Sequence, residues 1–278
     1  MSLGETLSSL FGARPGVATF EDQIYDAVVR PGDVCYDIGA NQGDVTRRLA
    51  RLADRGGLVV AFEPVWPLYR RLCRTLRRPP RRSAPVVPVP FGLSDADRLA
   101  EVQVPAGDFG QGSIASAADW QAAHPGVAIE SYGCRLVALD GFIAASRLPP
   151  PDFAKIDVEG AELFVLRGAA GLLEGAAPPL LLIELFAPWQ RAFHYGPWEV
   201  LKLLAERGYA FLFACPEGLV AHVPSAERPF PSGFERGYNV LAHLPARHAQ
   251  RVATLRPLQP GGGARVLPML PAPRPNLP

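Results

Sequence analysis

Lysine is nearly absent from this chain of 278 residues: Lys155 and Lys202 are the only two, and arginine carries the rest of the positive charge. With 28 basic and 27 acidic residues the formal net charge is +1, which argues against broad electrostatic capture of nucleic acid or anionic lipid. Cysteine is scarce as well. Cys35, Cys73, Cys134 and Cys215 stand far apart, with no C-x-x-C pair and no histidine at metal-ligand spacing. So few in a chain of this length imply no disulfide framework, and a reducing compartment is expected. The most apolar stretch, "LLLIELFA", is far too short to span a bilayer and carries Glu184. The opening "MSLGETLSSLFGARPG" lacks the basic and apolar regions of a secretory signal. These absences predict a cytoplasmic protein with no membrane span and no nucleic-acid partner, and they leave its oligomeric state open.

What is present reads as a globular protein: hydrophobic residues make up 48% of the chain and charged residues 20%, and its length allows one large core, or a core with a smaller lobe. In "FEDQIYDAVV", Phe20, Ile24 and Val28 share a helical face, and "RPGD" stops the helix. Strand-like and helical runs then alternate. "VCYDI" precedes a helix that follows "GANQG" and ends at Gly56-Gly57; "LVVAFE" precedes a helix in "PVWPLYRRLCRTLRR"; "APVVPVPFGLSD" reads as a proline-laden outer strand. From 100 to 150 the pattern loosens, with strands in "AEVQVPA" and "CRLVAL", a loop in "GQGSIASAADW", and Asp140 capping a short helix in "LDGFI". Regularity returns with strand "FAKIDV", helix "AELFVLRGAAGLL", strand "LLLIEL", helix "WEVLKLLAERG" and the strands "YAFLFAC", "GLVAHV" and "YNVLAHL". Such alternation predicts an α/β fold, a mainly parallel sheet with helices on both faces. The expected organisation is an N-terminal helical segment over 1–30, one domain over 31–250, and a Pro/Gly-rich disordered tail over 251–278.

Three strand ends carry acids: Asp37, Glu63, and Asp157 with Glu159. Ligands of a doubly wound sheet lie beyond the carboxyl ends of its strands. Gly39 and Gly43 supply a tight turn that admits close backbone approach, and the next helix offers free N–H groups to an anion. Glu63 stands about where a ribose-binding acid belongs. A dinucleotide reader needs G-x-G-x-x-G, whereas this turn spaces its glycines G-x-x-x-G with Asn41 in the middle. Asp37 just before the loop repels a pyrophosphate but suits a ligand bearing an ammonium or a sulfonium. S-adenosylmethionine has both, with a carboxylate for the helix and a ribose for Glu63.

The stretches "DVCYDIGANQGDVT", "VVAFEP", "FGLSD", "LDGF" and "FAKIDVEGAELFVLRGA", ending in "LLLIEL", resemble the FkbM family of S-adenosylmethionine-dependent methyltransferases. The resemblance covers residues 31–186 and weakens to about 245. It implies a class I methyltransferase, Rossmann-like fold: a mostly parallel seven-stranded sheet with a reversed final hairpin. It also implies O-methylation of hydroxyls on sugars or natural products. By the same resemblance Asp37, Gly39, Ala40, Asn41 and Gly43 line the methionine end of the cofactor. Glu63 meets the ribose, and Ser94 with Asp95 meets the adenine edge.

An alcohol must lose its proton as it attacks a methyl group, so a nearby base helps. Asp157 and Glu159 are the first candidates; they share one side of an extended segment, with Lys155 further down it. Asp157 also faces the inferred cofactor. Glu162 reads as a first-turn acid complementing a helix dipole. Asp157, Glu159 and Glu184 offer a weaker alternative as oxygen ligands of Mg²⁺, and no metal site is assigned. His194 is a second base candidate, from the loop after "LLLIELFAPW". Trp189, Phe193, Tyr195 and Trp198 are either an acceptor platform or core anchors, and Gln111 and Ser113 are acceptor-side polar groups by position. The reading is an S-adenosylmethionine-dependent O-methyltransferase acting on a hydroxyl of a glycan, sugar or specialised metabolite. The alternatives are an NAD(P)-dependent oxidoreductase and a catalytically silent binding module.

Overall fold

A computed structural model describes residues 20–215, 218–231 and 237–255. The expected tail beyond 255 and the chain before 20 lie outside the described residues.

In chain order the first half contains α1 (Phe20–Val28), β1 (Val34–Ile38), α2 (Asp44–Ala53), β2 (Leu58–Phe62), α3 (Trp66–Leu76), β3 (Val86–Val89), β4 (Gly92–Ser94) and β5 (Arg98–Pro105). A 3-10 turn (Phe109–Gln111) leads to α4 (Ala117–Ala123), β6 (Ile129–Ala138), α5 (Leu139–Ser146) and β7 (Phe153–Ile156). There follow α6 (Glu162–Arg167), α7 (Ala170–Glu174), β8 (Leu180–Phe186), α8 (Ala187–Arg191) and α9 (Pro197–Ala205). The chain closes with β9 (Ala210–Cys215), β10 (Gly218–Ala221), β11 (Gly237–His243) and α10 (Ala249–Ala253). No helix among the described residues is long and apolar enough to cross a membrane.

The main sheet runs β10-β9-β11-β8-β7-β1-β2-β3. The five strands from β3 to β8 are parallel, while β11 pairs antiparallel with both β8 and β9. The sheet has eight strands where seven are expected, because β10 folds back antiparallel on β9 and becomes a new edge. Proline-bearing β3 is the opposite edge, the place in a sheet where a missing N–H is tolerated.

Central strands buried on both faces are apolar throughout. Tyr36, Ile38, Val60, Phe62, Ala154 and Ile156 enter the core on one side, with α6 and α9. The alternate residues Cys35, Val59, Phe153 and Leu182 enter the core on the other, with α1 and α2. Ile24, Tyr25 and Val28 of α1 are fully buried there, so the first helix shares the main core. Asp33, buried at the turn into β1, is gripped by both guanidinium nitrogens of Arg251 on α10, which ties the two ends of the described chain together.

The irregular stretch from 100 to 150 forms a second sheet, β4-β6-β5, half exposed along β5. Three local expectations change. "GQGSIASAADW" is not all loop: Ser116 caps α4 by accepting from the Asp119 amide at 3.1 Å. The helix expected across "AELFVLRGAAGLL" divides into α6 and α7 at Gly168, where the Ser94 carbonyl oxygen lies 1.9 Å from a would-be Cβ. Asp140 caps α7 rather than its own helix, accepting from Gly171 N at 2.7 Å and Leu172 N at 2.9 Å.

Candidate active site

The carboxyl ends of β1, β2 and β7 open onto a cavity of about 260 Å³. The turn after β1 is stitched to the neighbouring strand, since Gly39 N and Ala40 N both donate to Phe62 O, at 3.1 and 2.9 Å. Asn41 adopts φ 49° in this turn, and its amide donates to Glu63 Oε2 at 2.8 Å. Val65 N donates to the other oxygen at 2.8 Å. One carboxylate therefore braces two loops. Glu63 is 4% exposed, and burial pushes its carboxyl up to about 7 against the lowering effect of those two amides.

Packing alone already requires glycine at both positions. A Cβ on Gly39 would meet the carbonyl oxygen of Asp157, and one on Gly43 would meet Leu72 at 2.7 Å. Both residues have positive φ, which glycine adopts without steric cost.

Asp37 is the largest departure from expectation. It is fully buried, does not line the cavity, and accepts from Thr46 Oγ1 at 2.5 Å. Burial raises its carboxyl, with Lys155 and the Thr46 bond acting against the rise. Lys155 and Asp157, by contrast, both line the cavity, and Lys155 Nζ reaches Asp157 Oδ2 at 2.5 Å. Burial would lower the lysine, but Asp157, Glu21 and Asp37 outweigh it and hold the ammonium well protonated. Glu159 lines the cavity at φ 51°, a left-handed conformation that costs a non-glycine residue energy and recurs at functional sites. Burial, then the charges of Asp157, Glu184 and Glu162, push its carboxyl well above the ordinary range. Glu184, at the end of β8, is pushed the same way by Asp157 first.

The loop from 157 to 162 is held by buried polar groups. Ser113 donates to the Glu159 carbonyl at 2.6 Å, placing Ser113 behind the cavity as a brace. Glu162 is 1% exposed; its carboxylate accepts from Gly160 N at 3.0 Å and from the Gln190 amide at 2.9 Å. It is a loop anchor, more than an acid set at a helix terminus. Tyr195 donates to the Gly160 carbonyl at 2.5 Å. A Cβ on Gly160 would meet Trp189 O at 2.7 Å, so this glycine too is required by close packing.

Other candidates stand apart from the cavity. His194 has a side chain 81% exposed, 3.9 Å from Asp119. Ser94 is fully buried and donates to Asp95, whose carboxylate pairs with Arg98. The adjacent Gly92 and Leu93 line the cavity in their place. Of the four aromatics, Trp189 stacks on His124 at 5.1 Å and packs on Trp120 and Phe186. Phe193 packs on Phe164, and Trp198 packs on the main core. They are anchors of the site's frame. Gln111 bonds to His124 and Asp108. Asp157, Glu159 and Glu184 do not gather for magnesium: among the described residues no group of three or more His, Cys, Asp or Glu is arranged to hold a metal ion.

Sequence reasoning missed the apolar wall, which includes Val65, Leu68, Phe109 and Leu136. It also assigned Lys155 no role. The apolar wall comes from three separate elements and has no common sequence signal. The lysine is marked by its rarity.

Three comparisons bear on identity. The profile of the methyltransferase FkbM domain matches residues 37–211, more than half of the chain. The chain is 28% identical over 176 residues to the hexuronic acid methyltransferase AglP of Haloferax volcanii, covering 63% of this chain and 62% of that protein. It is 35% identical over 181 residues to the AMB antimetabolite synthetase AmbE of Pseudomonas aeruginosa, covering 54% of this chain and 8% of that one. The chain thus spans less than two thirds of either relative. A crystal structure of methyltransferase FkbM from Methylobacillus flagellatus KT aligns at a TM-score of 0.44 and 18% identity, covering 81% of this chain and 50% of that one. With the profile match added to an α/β sheet of this order, the chain belongs to the FkbM methyltransferase family.

Proposed function

We propose that this protein is an S-adenosylmethionine-dependent O-methyltransferase acting on a hydroxyl of a sugar, glycan or specialised metabolite. The charge of the cavity carries the reading. Four acidic groups, Asp44, Glu63, Asp157 and Glu159, line it against one cation, Lys155, which is already paired with Asp157. Burial raises the Glu63 and Glu159 carboxyls, and a cationic ligand would draw their protons off. Such a wall fits a ligand with positive groups and disfavours a pyrophosphate. Attraction of this kind is several times stronger in a partly dry cleft than in water. The name of the relative AglP supports the sugar side of the reading.

The cofactor supplies an electrophilic methyl group on a sulfonium. In this reading the main chain of Gly39, Ala40 and Asn41 and the first amides of α2 receive the methionine end. Glu63 receives the ribose hydroxyls, and Val65, Leu93 and Leu136 enclose the flat ring. Asp37, Gly43, Ser94 and Asp95 act from behind as support. Asp157 faces the cofactor with one oxygen held by Lys155, and Glu159 is the base that takes the acceptor's proton.

Calorimetric titration tests the cofactor. S-adenosylmethionine binds the wild type and NAD⁺ does not; Glu63→Ala weakens binding more than tenfold through loss of a charge-assisted contact. Unchanged affinity in that variant removes Glu63 from the ribose. Mass spectrometry of extracts with and without the protein then seeks a metabolite or glycan heavier by one CH₂. Binding without any such product would make the protein a silent module.

A further inference from the structure

Lys155 is 6% exposed, sits in the middle of the main sheet on β7, and lines the cavity. Its register partner on β1 is Asp37, so the two side chains rise from the same face of adjacent parallel strands. One oxygen of Asp37 is taken by Thr46; the other, Oδ1, is buried with no hydrogen-bond partner among the described residues. A buried carboxylate left so is costly unless a countercharge stands near. The ammonium of Lys155 is that countercharge, and its hydrogen bond goes to Asp157 at 2.5 Å. The charges that act on it most strongly are acids: Asp157 from the turn after β7, Glu21 of α1 and Asp37 of β1. Lys155 in turn acts on Glu159 in that same turn and on Glu184 of β8. Arginine, used almost everywhere else in this chain, carries a planar fork; lysine brings a compact charge that fits between a carboxylate on β1 and one just past the end of β7.

Granting the function proposed above, we propose that Lys155 is a positioning residue for methyl transfer. Its ammonium, beside Asp37 and bonded to Asp157, holds the Asp157 carboxylate at the cavity wall and offsets the acidic field around Glu159. It is not itself the base that takes the acceptor's proton. Among the strongest charges acting on Glu159, Lys155 is the positive one, set against Asp157, Glu184 and Glu162. Without it the Glu159 carboxyl would hold its proton more tightly and serve less well as a base.

The scarcity of lysine makes the test direct. Protein labelled with ¹³C at lysine Cε gives two signals, from buried Lys155 and from exposed Lys202, whose side chain is 56% exposed. The Lys155 signal is expected to stay at its ammonium position up to and beyond the ordinary lysine value of about 10.4. Loss of its proton below that value would overturn the proposal. In Lys155→Met labelled at the glutamate carboxyls, the titration midpoint of Glu159 is expected to move upward from that of the wild type. An unmoved midpoint would overturn the proposal as well. If Lys155→Met does not fold, the wild-type lysine titration still decides. Calorimetry with S-adenosylmethionine separates the two readings. No binding by the wild type would sink the proposed function and leave the titrations as measured; binding together with an unmoved Glu159 would sink only the role of Lys155.

Discussion

The carbonyl oxygen of Asp157 lies 1.9 Å from the point that a Cβ on Gly39 would occupy, and Gly39 itself has φ +89°. The turn after β1 and the acidic turn after β7 are therefore packed backbone to backbone. Gly39→Ala is expected to lose about 3 kcal/mol or more, combining left-handed strain with a clash that no rotamer relieves. Urea denaturation checks it, and a loss under about 1 kcal/mol would show that the turns part without penalty.

Burial raises the Glu63 carboxyl from 4.5 to about 7 in the folded protein. The folded state then binds that proton more tightly than the unfolded state. Its contribution to stability is complete below 4.5 and is lost as pH rises through about 7. Glu63→Gln, which cannot titrate, is expected to flatten this part of the curve. Denaturation of both proteins across that window reads the difference; parallel curves would place the titrating group elsewhere.

Tyr195 donates to Gly160 O at 2.5 Å and accepts from Leu163 N at 3.3 Å, clamping the turn that carries Glu159. Tyr195→Phe leaves both backbone groups short of a partner and is expected to cost about 1–3 kcal/mol. Hydrogen exchange should quicken at Gly160 and Leu163 while the amides of α9 keep their protection. Equal acceleration in both places would mean a global loss rather than a loosened turn.

Arg251 of α10 meets buried Asp33 with two guanidinium nitrogens, one of them at 2.7 Å, and also donates to Val28 O at 3.1 Å. Arg251→Ala is expected to destabilise the fold by about 2 kcal/mol, because Asp33 stays buried with fewer donors. The melting temperature should fall, more steeply than in Arg251→Lys, which keeps the charge but not the fork. Identical melting of all three proteins would make the pair incidental.

Strand and helix positions were legible because each central strand is apolar and each surface helix repeats its apolar face within a few residues. Glu63 could be placed from spacing alone, since strand, turn and helix have narrow lengths in such folds. The division at Gly168 could not be foreseen: the carbonyl that fills its Cβ position belongs to Ser94, far away in the chain. Asp140 misled for the same reason, as the amides it caps lie 31 and 32 residues further on.

The sequence by itself determined the alternating elements, the glycine turn after β1 and the acids at strand ends, all of which depend on neighbours along the chain. Only the tertiary structure decided which acids face the cavity. Asp37 and Glu63 both close short apolar runs, yet one is sealed against Thr46 and the other lines the cavity. Ser94 likewise belongs to the smaller sheet and Asp95 follows it, both clear of the cavity. Which way a strand-end carboxylate opens is set by the strands and helices packed around it, and those contacts join residues too distant in sequence for any local pattern to encode.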